Sequence, residues 1–306
     1  MTGSVEAESP ARSAFRRGLL ASGIGVGGLV PSHNDAVAGE MFRAATAADP
    51  TACDSWLGRV LAGEDSVEVL AGAWEAAETF GWEIRRLRVL GADFRPVVFD
   101  GLFLRLPICS VDALRAGYAT VLIREQRYSD ADVLLSAAGV PADPFDAQMH
   151  TYVAGLLHFR TQRWTDVLRL FAADMRWYRP EYDCAATAMA TTALASLGVF
   201  EDAFRRGEHT AADERVPQAA TVVLYTQAMC LRHLGREDEA AQLLRRVYSR
   251  DPQFGPAREA MDDPTRRLVL TDPETIEART DRWDPDTAPS RVTPRSPAMR
   301  RRPRSI

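Results

Sequence analysis

The side chains best suited to metal ligation or nucleophilic chemistry are five histidines (His33, His150, His158, His209 and His233) and four cysteines (Cys53, Cys109, Cys184 and Cys230). Their spacing assembles neither chemistry. No Cys-x-x-Cys or His-Glu-x-x-His occurs, so no short segment offers the paired ligands of a zinc site. Cys53 is followed by Asp54, Ser55 and Trp56. That neighbourhood supplies no base or positive charge to form a thiolate, so Cys53 reads as a core residue. The acid runs Asp262-Asp263 and Glu237-Asp238-Glu239 read as solvated faces or helix caps. No Gly-x-Ser-x-Gly elbow is present, and the expectation is a chain with no catalytic residue, no bound cofactor and no metal.

Phosphate chemistry is constrained by one composition fact: all 37 basic residues are arginine. A Walker A loop, a kinase third strand and a pyridoxal Schiff base each require lysine. The formal Gly-x-Gly-x-x-Gly at Gly23, Gly25 and Gly28 follows a predicted helix, not a strand, and precedes Pro31. It therefore reads as a helix end and turn, not a dinucleotide fingerprint. Arg16-Arg17 before a short apolar run imitates an export signal. The run is glycine-rich and lacks a cleavage pattern, so a first amphipathic helix is expected instead.

Net charge is −5 over 306 residues, unevenly distributed. Six arginines lie within 291–306, leaving 31 arginines against 42 acids upstream, a net −11. An acidic body lacks the basic face that nucleic-acid binding needs. No apolar run reaches membrane-spanning length, and dispersed cysteines suit a reducing compartment. The expected location is cytoplasmic.

What positions these residues is a repeat. Gln126-Arg-Tyr-Ser-Asp130-Ala131, Gln162-Arg-Trp-Thr-Asp166-Val167, Gly198-Val-Phe-Glu-Asp202-Ala203 and Gly235-Arg-Glu-Asp-Glu239-Ala240 align at intervals of 36, 36 and 37 residues. Seven positions before each turn stands a small residue: Ala119, Gly155, Thr191 and Ala228. The pattern resembles the tetratricopeptide (TPR) repeat, a helix-turn-helix of about 34 residues. It is clearest over 221–254, where Asp251-Pro252 stops the second helix. Ala38, Phe42, Ala45 and Pro50 keep second-helix spacing, and Gly63 marks a further repeat over 52–82. The predicted fold is an all-α TPR solenoid of five to six repeats. Val97-Val-Phe99 and Leu102-Phe-Leu104 flank Asp100-Gly101, which predicts a β-hairpin near residues 94–106. The expected organisation is a disordered 1–11, repeats over 12–270 with an insertion at about 84–108, a linker over 271–290 and a basic, disordered tail over 291–306.

In such an array the first helix of each repeat lines a concave surface. The inner positions read from the turns are Arg124, Tyr152, Phe159, Arg160, Tyr225, Met229, Arg232 and His233. Arg124, Arg160 and Arg232 stand at equivalent places by this reading. Guanidinium forks suit an acidic or C-terminal peptide; pairing with acids of neighbouring helices is the other reading, and both stand open.

Several blocks carry a family resemblance. They are Asp49-Pro-Thr-Ala-Cys53-Asp-Ser-Trp56-Leu-Gly-Arg59, Ala73-Trp74 with Phe80-Gly81, the stretch Ala190–Phe204, Asp263-Pro-Thr-Arg-Arg-Leu268, and Thr271 through Trp283-Asp-Pro285. Over roughly residues 12–289 the chain resembles the N-terminal TPR domain of EccA, the AAA+ ATPase of type VII (ESX) secretion systems of actinobacteria, and looks nearest to ESX-3-type members. The resemblance implies binding of secreted substrates of the Esx, PE and PPE type or their chaperones, and association with EccA-type ATPase rings. ATP and Mg belong to the ATPase domain of that family, whose motifs have no counterpart here. The Pro-Arg-Ser tail after residue 290 has the composition of a GC-rich gene read out of frame. This suggests a truncated or frameshifted ATPase, and a stand-alone regulator is the further alternative.

Overall fold

Five residues of positive φ play the same part in the chain, namely Gly63 (+91°), Gln126 (+58°), Gln162 (+58°), Gly198 (+80°) and Gly235 (+76°). Each closes a helix with the same pair of hydrogen bonds. At Gln162, its own N–H donates to the Phe159 carbonyl (3.1 Å) and the Arg163 N–H reaches back to that of His158 (2.8 Å). The equivalent pair at Gly235 runs to Arg232 (3.0 Å) and Leu231 (2.8 Å). This left-handed cap satisfies carbonyls that a helix end leaves open, and the chain turns directly into the next helix.

The computed structural model describes residues 9–23, 34–80, 97–100, 105–108, 110–172, 177, 180–208 and 217–263. Among them lie thirteen helices and one hairpin. They are α1 (Pro10–Ala21), α2 (Asp35–Ala48), α3 (Cys53–Leu61), α4 (Val67–Phe80), β1 (Val97–Asp100), β2 (Arg105–Ile108), α5 (Val111–Arg124), α6 (Tyr128–Ser136), α7 (Pro144–Arg160), α8 (Trp164–Leu170), α9 (Pro180–Ser196), α10 (Phe200–Gly207), α11 (Pro217–His233), α12 (Glu237–Arg250) and α13 (Gly255–Asp262). Each helix packs on its neighbours in sequence, and the first helices α5, α7, α9 and α11 pack in succession. This nearest-neighbour stacking is a TPR-like solenoid.

The small position before each turn permits the stacking. Ala119, Thr191 and Ala228 are wholly buried, and a methyl group added at Gly155 would lie 2.1 Å from the Phe171 ring. One cluster of buried residues joins α1 and α2, and the two larger ones meet at α9. Ala185, Met189 and Ala193 belong to a core reaching back to α3, whereas Cys184, Ala188 and Ala195 belong to one reaching forward to α13. A helix apolar on all sides is one enclosed by neighbours.

Two expectations change. Pro10 and Ala11 are helical, with the Ser9 side chain accepting from the Arg12 N–H at the helix start, so α1 begins inside the segment expected to be disordered. The hairpin pairs Val97 with Ile108 and Asp100 with Arg105. Pairing therefore resumes at Arg105, and the turn is not the two-residue Asp-Gly turn that would have placed Leu102 to Leu104 in the second strand. Of the glycine-rich motif, Gly23 (φ +82°) ends α1; Gly25 and Gly28 lie outside the described residues. His33, Cys109, His209, the linker and the basic tail also lie outside them. Among the described residues no helix is long and apolar enough to cross a membrane.

Candidate interaction surface

The turns place two consecutive positions of each first helix in different surroundings. Three residues before the turn stand Ile123, Phe159, Ala195 and Arg232, all buried at 1–4% exposure. Two residues before it stand Arg124, Arg160, Ser196 and His233, all at least partly exposed. One residue is about 100° of helix. Arg232 is thus one step out of register with Arg124 and Arg160, which corrects the equivalence of the three arginines.

Arg232 ties helix ends together. Its guanidinium donates to the Ala260 carbonyl (2.7 Å) and the Asp263 carbonyl (3.5 Å), and lies 3.6 Å from the Glu237 carboxylate. A buried cation on the final carbonyls of α13 complements that helix end. Arg124 reaches Asp65 beside the preceding turn, 2.6 Å to its carboxylate and 2.7 Å to its carbonyl. Both arginines bind groups of neighbouring elements, the second of the two readings given above. Arg160 is half-buried.

The aromatic groove positions are core. Tyr152 packs edge-on against Tyr182 (5.4 Å), Phe159 against Trp164 (5.6 Å) and Tyr225 against Phe254 (5.3 Å). These three and Met229 are at most 3% exposed. Tyr152, Phe159, Tyr225, Met229 and Arg232 therefore belong to the interior and not to a groove surface, because neighbouring helices close over them. His233 is half-buried and stacks on Phe200 at 4.2 Å, the planes 3° apart.

No catalytic constellation forms among the described residues. Cys53 is buried, and that burial, with Asp54 beside it, pushes its thiol up; burial pushes Cys230 up to about 12. Neither is a thiolate. No group of three metal-binding side chains is present among the described residues. A titratable cluster joins the starts of α5 and α7. The Ser110 hydroxyl donates to Asp146 (2.6 Å) and Arg115 pairs with Asp112 (2.9 Å) while lying over Trp74. Burial raises Asp146 despite the Ser110 bond. Burial, reinforced by Arg115, lowers His150. Ser110 and Asp146 are one repeat apart, a spacing that could have paired them from the sequence.

The turns differ in surface chemistry. In the central repeats they are charged: Arg127 clasps Asp130 (2.7 Å) and Arg163 clasps Asp166 (2.9 Å). In the next turn Val199 replaces the arginine, and Leu197, Val199 and Leu234 stand 44%, 40% and 37% exposed. Sequence reasoning missed these three. The signal was the residue just before each turn, which runs Glu125, Thr161, Leu197, Leu234.

Residues 16–289 match the family described as T7SS, ESX-1 secretion system protein EccA1, N-terminal domain. The chain is 61% identical over 292 residues to the ESX-5 secretion system protein EccA5 of Mycobacterium tuberculosis, covering 95% of this chain and 48% of that protein. Against ESX-1 secretion system protein EccA1 of Mycolicibacterium smegmatis identity is 32%, covering 88% and 46%. The chain thus spans about half the length of the curated relatives it matches. The crystal structure of the N-terminal domain of EccA1 ATPase from the ESX-1 secretion system of Mycobacterium tuberculosis superposes with a TM-score of 0.70 at 25% identity, covering 90% of this chain and 96% of that one. Identity at this level to ESX-5 proteins corrects the expected ESX-3 affinity. With its turns, its stacked first helices and nearly its whole length accounted for in this way, the chain belongs to the EccA N-terminal domain family of type VII secretion systems.

Proposed function

We propose that the chain is the protein-interaction module of an EccA-type secretion ATPase. It takes hold of ESX, PE or PPE-type substrates, or of their chaperones, and performs no chemistry of its own. The observation carrying this reading is the match to the EccA N-terminal family over 16–289, on a TPR-like solenoid whose described side chains form no catalytic cluster. ATP and Mg, and the hydrolysis that drives secretion, belong on this reading to the part of the longer relatives that this chain does not span. The contact for an acidic partner segment is assigned to the central turns, where Arg160 and Arg124 border the charged row, the partner's carboxylate competing with Asp65 for Arg124.

Titration of the purified chain with a PE–PPE pair or its chaperone tests the reading; the expected result is saturable binding without ATP hydrolysis. Binding that survives charge reversal at both Arg124 and Arg160 overturns their assignment. Hydrolysis by the chain alone overturns the non-catalytic reading. If an intact EccA-type ring is bound and substrate is not, the chain is a regulator and not an adaptor.

A further inference from the structure

The exposed side chains at the C-terminal turns form one patch. Phe200, directly after Val199, stacks on His233, directly before Leu234, so the two turns are neighbours. Acids directly follow both turns: Glu201, Asp202, Glu237 and Asp238 are all exposed, with Glu201 3.9 Å from Arg205 and Glu237 3.6 Å from Arg232. Arg236 is already clasped by Glu239 at 2.7 Å. Arg232 fixes the end of α13 to this same end of α11 through the Ala260 and Asp263 carbonyls. The described chain therefore stops beside the patch. Its continuation, outside the described residues, reads Pro264-Thr265-Arg266-Arg267-Leu268-Val269-Leu270.

We infer that residues 266–270 dock across these two turns. Leu268 and Leu270 cover Leu197, Val199 and Leu234, and Arg266 and Arg267 face those acids. Length permits this, since the five residues from Pro264 to Leu268 span up to about 17 Å and neighbouring helices lie about 8–10 Å apart. Covalent attachment beside the patch gives the segment a high effective concentration that a free peptide lacks. The acids make the fit directional, because a basic-then-apolar segment complements them and an acidic one is repelled. The inference concerns the chain's own packing and stands apart from the partner reading.

Limited trypsin digestion of the full chain tests it, with cleavage after Arg291 and Arg295 as the internal reference. Proteolysis follows the population of the open form, so docking slows cleavage after Arg266 and Arg267 by about tenfold or more relative to the reference. Leu197→Asp with Leu234→Asp, and separately Leu268→Asp with Leu270→Asp, abolish the protection. The second pair leaves the described helices untouched and guards against a folding defect. Equal cleavage at both regions in the unmodified chain, or protection that survives both pairs, overturns the inference. Protection that grows with protein concentration assigns the patch to a second copy and overturns it as well.

Discussion

The turns at Gln126 and Gln162 and those at Gly198 and Gly235 have one backbone geometry and differ in their apolar exposure. In the central pair a glutamine holds a left-handed conformation that L-residues adopt at a cost, beside an Arg–Asp clasp. In the later pair glycine takes that conformation freely and leucine or valine faces outward; the clasp is lost at Gly198, where Val199 stands, and kept at Gly235 as Arg236–Glu239. Conformation at these sites is dictated by the repeat, whereas side-chain chemistry is left to vary. Turns of one backbone geometry can therefore carry different surface chemistry without altering the solenoid.

The largest effect expected across this divide concerns arginine. Arg232→Met removes a buried guanidinium from the α13 carbonyls and costs about 3 kcal/mol, whereas Arg124→Met breaks a partly exposed pair and costs about 0.5 kcal/mol. Equal losses in chemical denaturation would contradict the difference in register. Next, Gly155→Ala forces a methyl group into Phe171 and costs about 2 kcal/mol, read as a lower midpoint at unchanged slope.

Exchanging the turn residues isolates the backbone. Gly198→Gln loses about 1 kcal/mol and Gln162→Gly gains a smaller amount. A loss in both directions would show that glutamine contributes more than its conformation. The smallest effect is on pH dependence. Burial, then Arg163, holds His158 below the ordinary imidazole range. The unfolded chain therefore binds more protons between that depressed value and about 6.5, and stability falls as pH drops through this window. His158→Gln flattens that part of a thermal-melt profile. The raised Asp146 acts oppositely, since its native form retains a proton that the unfolded chain releases, and stability falls as pH rises through that interval.

The repeat was legible because its markers are backbone requirements. The turn residue must tolerate positive φ, and the position seven earlier must be small, as Gly155 against Phe171 demonstrates. The surface was harder to read. Burial of Tyr152, Tyr225 and Met229 depends on how closely neighbouring helices approach, which periodicity within one helix does not encode. Arg232 was misplaced by one position, enough to move a side chain from the surface to the core. The hairpin was recognised by its apolar runs, but its register was not, because Asp100-Gly101 suggested a tighter turn than the pairing of Asp100 with Arg105 allows.

Because α9 walls both of the larger cores, it decides how that part of the array comes apart. In a stack held by nearest-neighbour interfaces, unfolding can stop wherever one interface is weak. Here the two halves lean on opposite faces of a single alanine-rich helix. Neither half can melt without stripping one of those faces, so heating is expected to give one merged transition. A substitution such as Met189→Asp, which weakens the central face alone, would split that transition and leave the α9–α13 half standing as the later event.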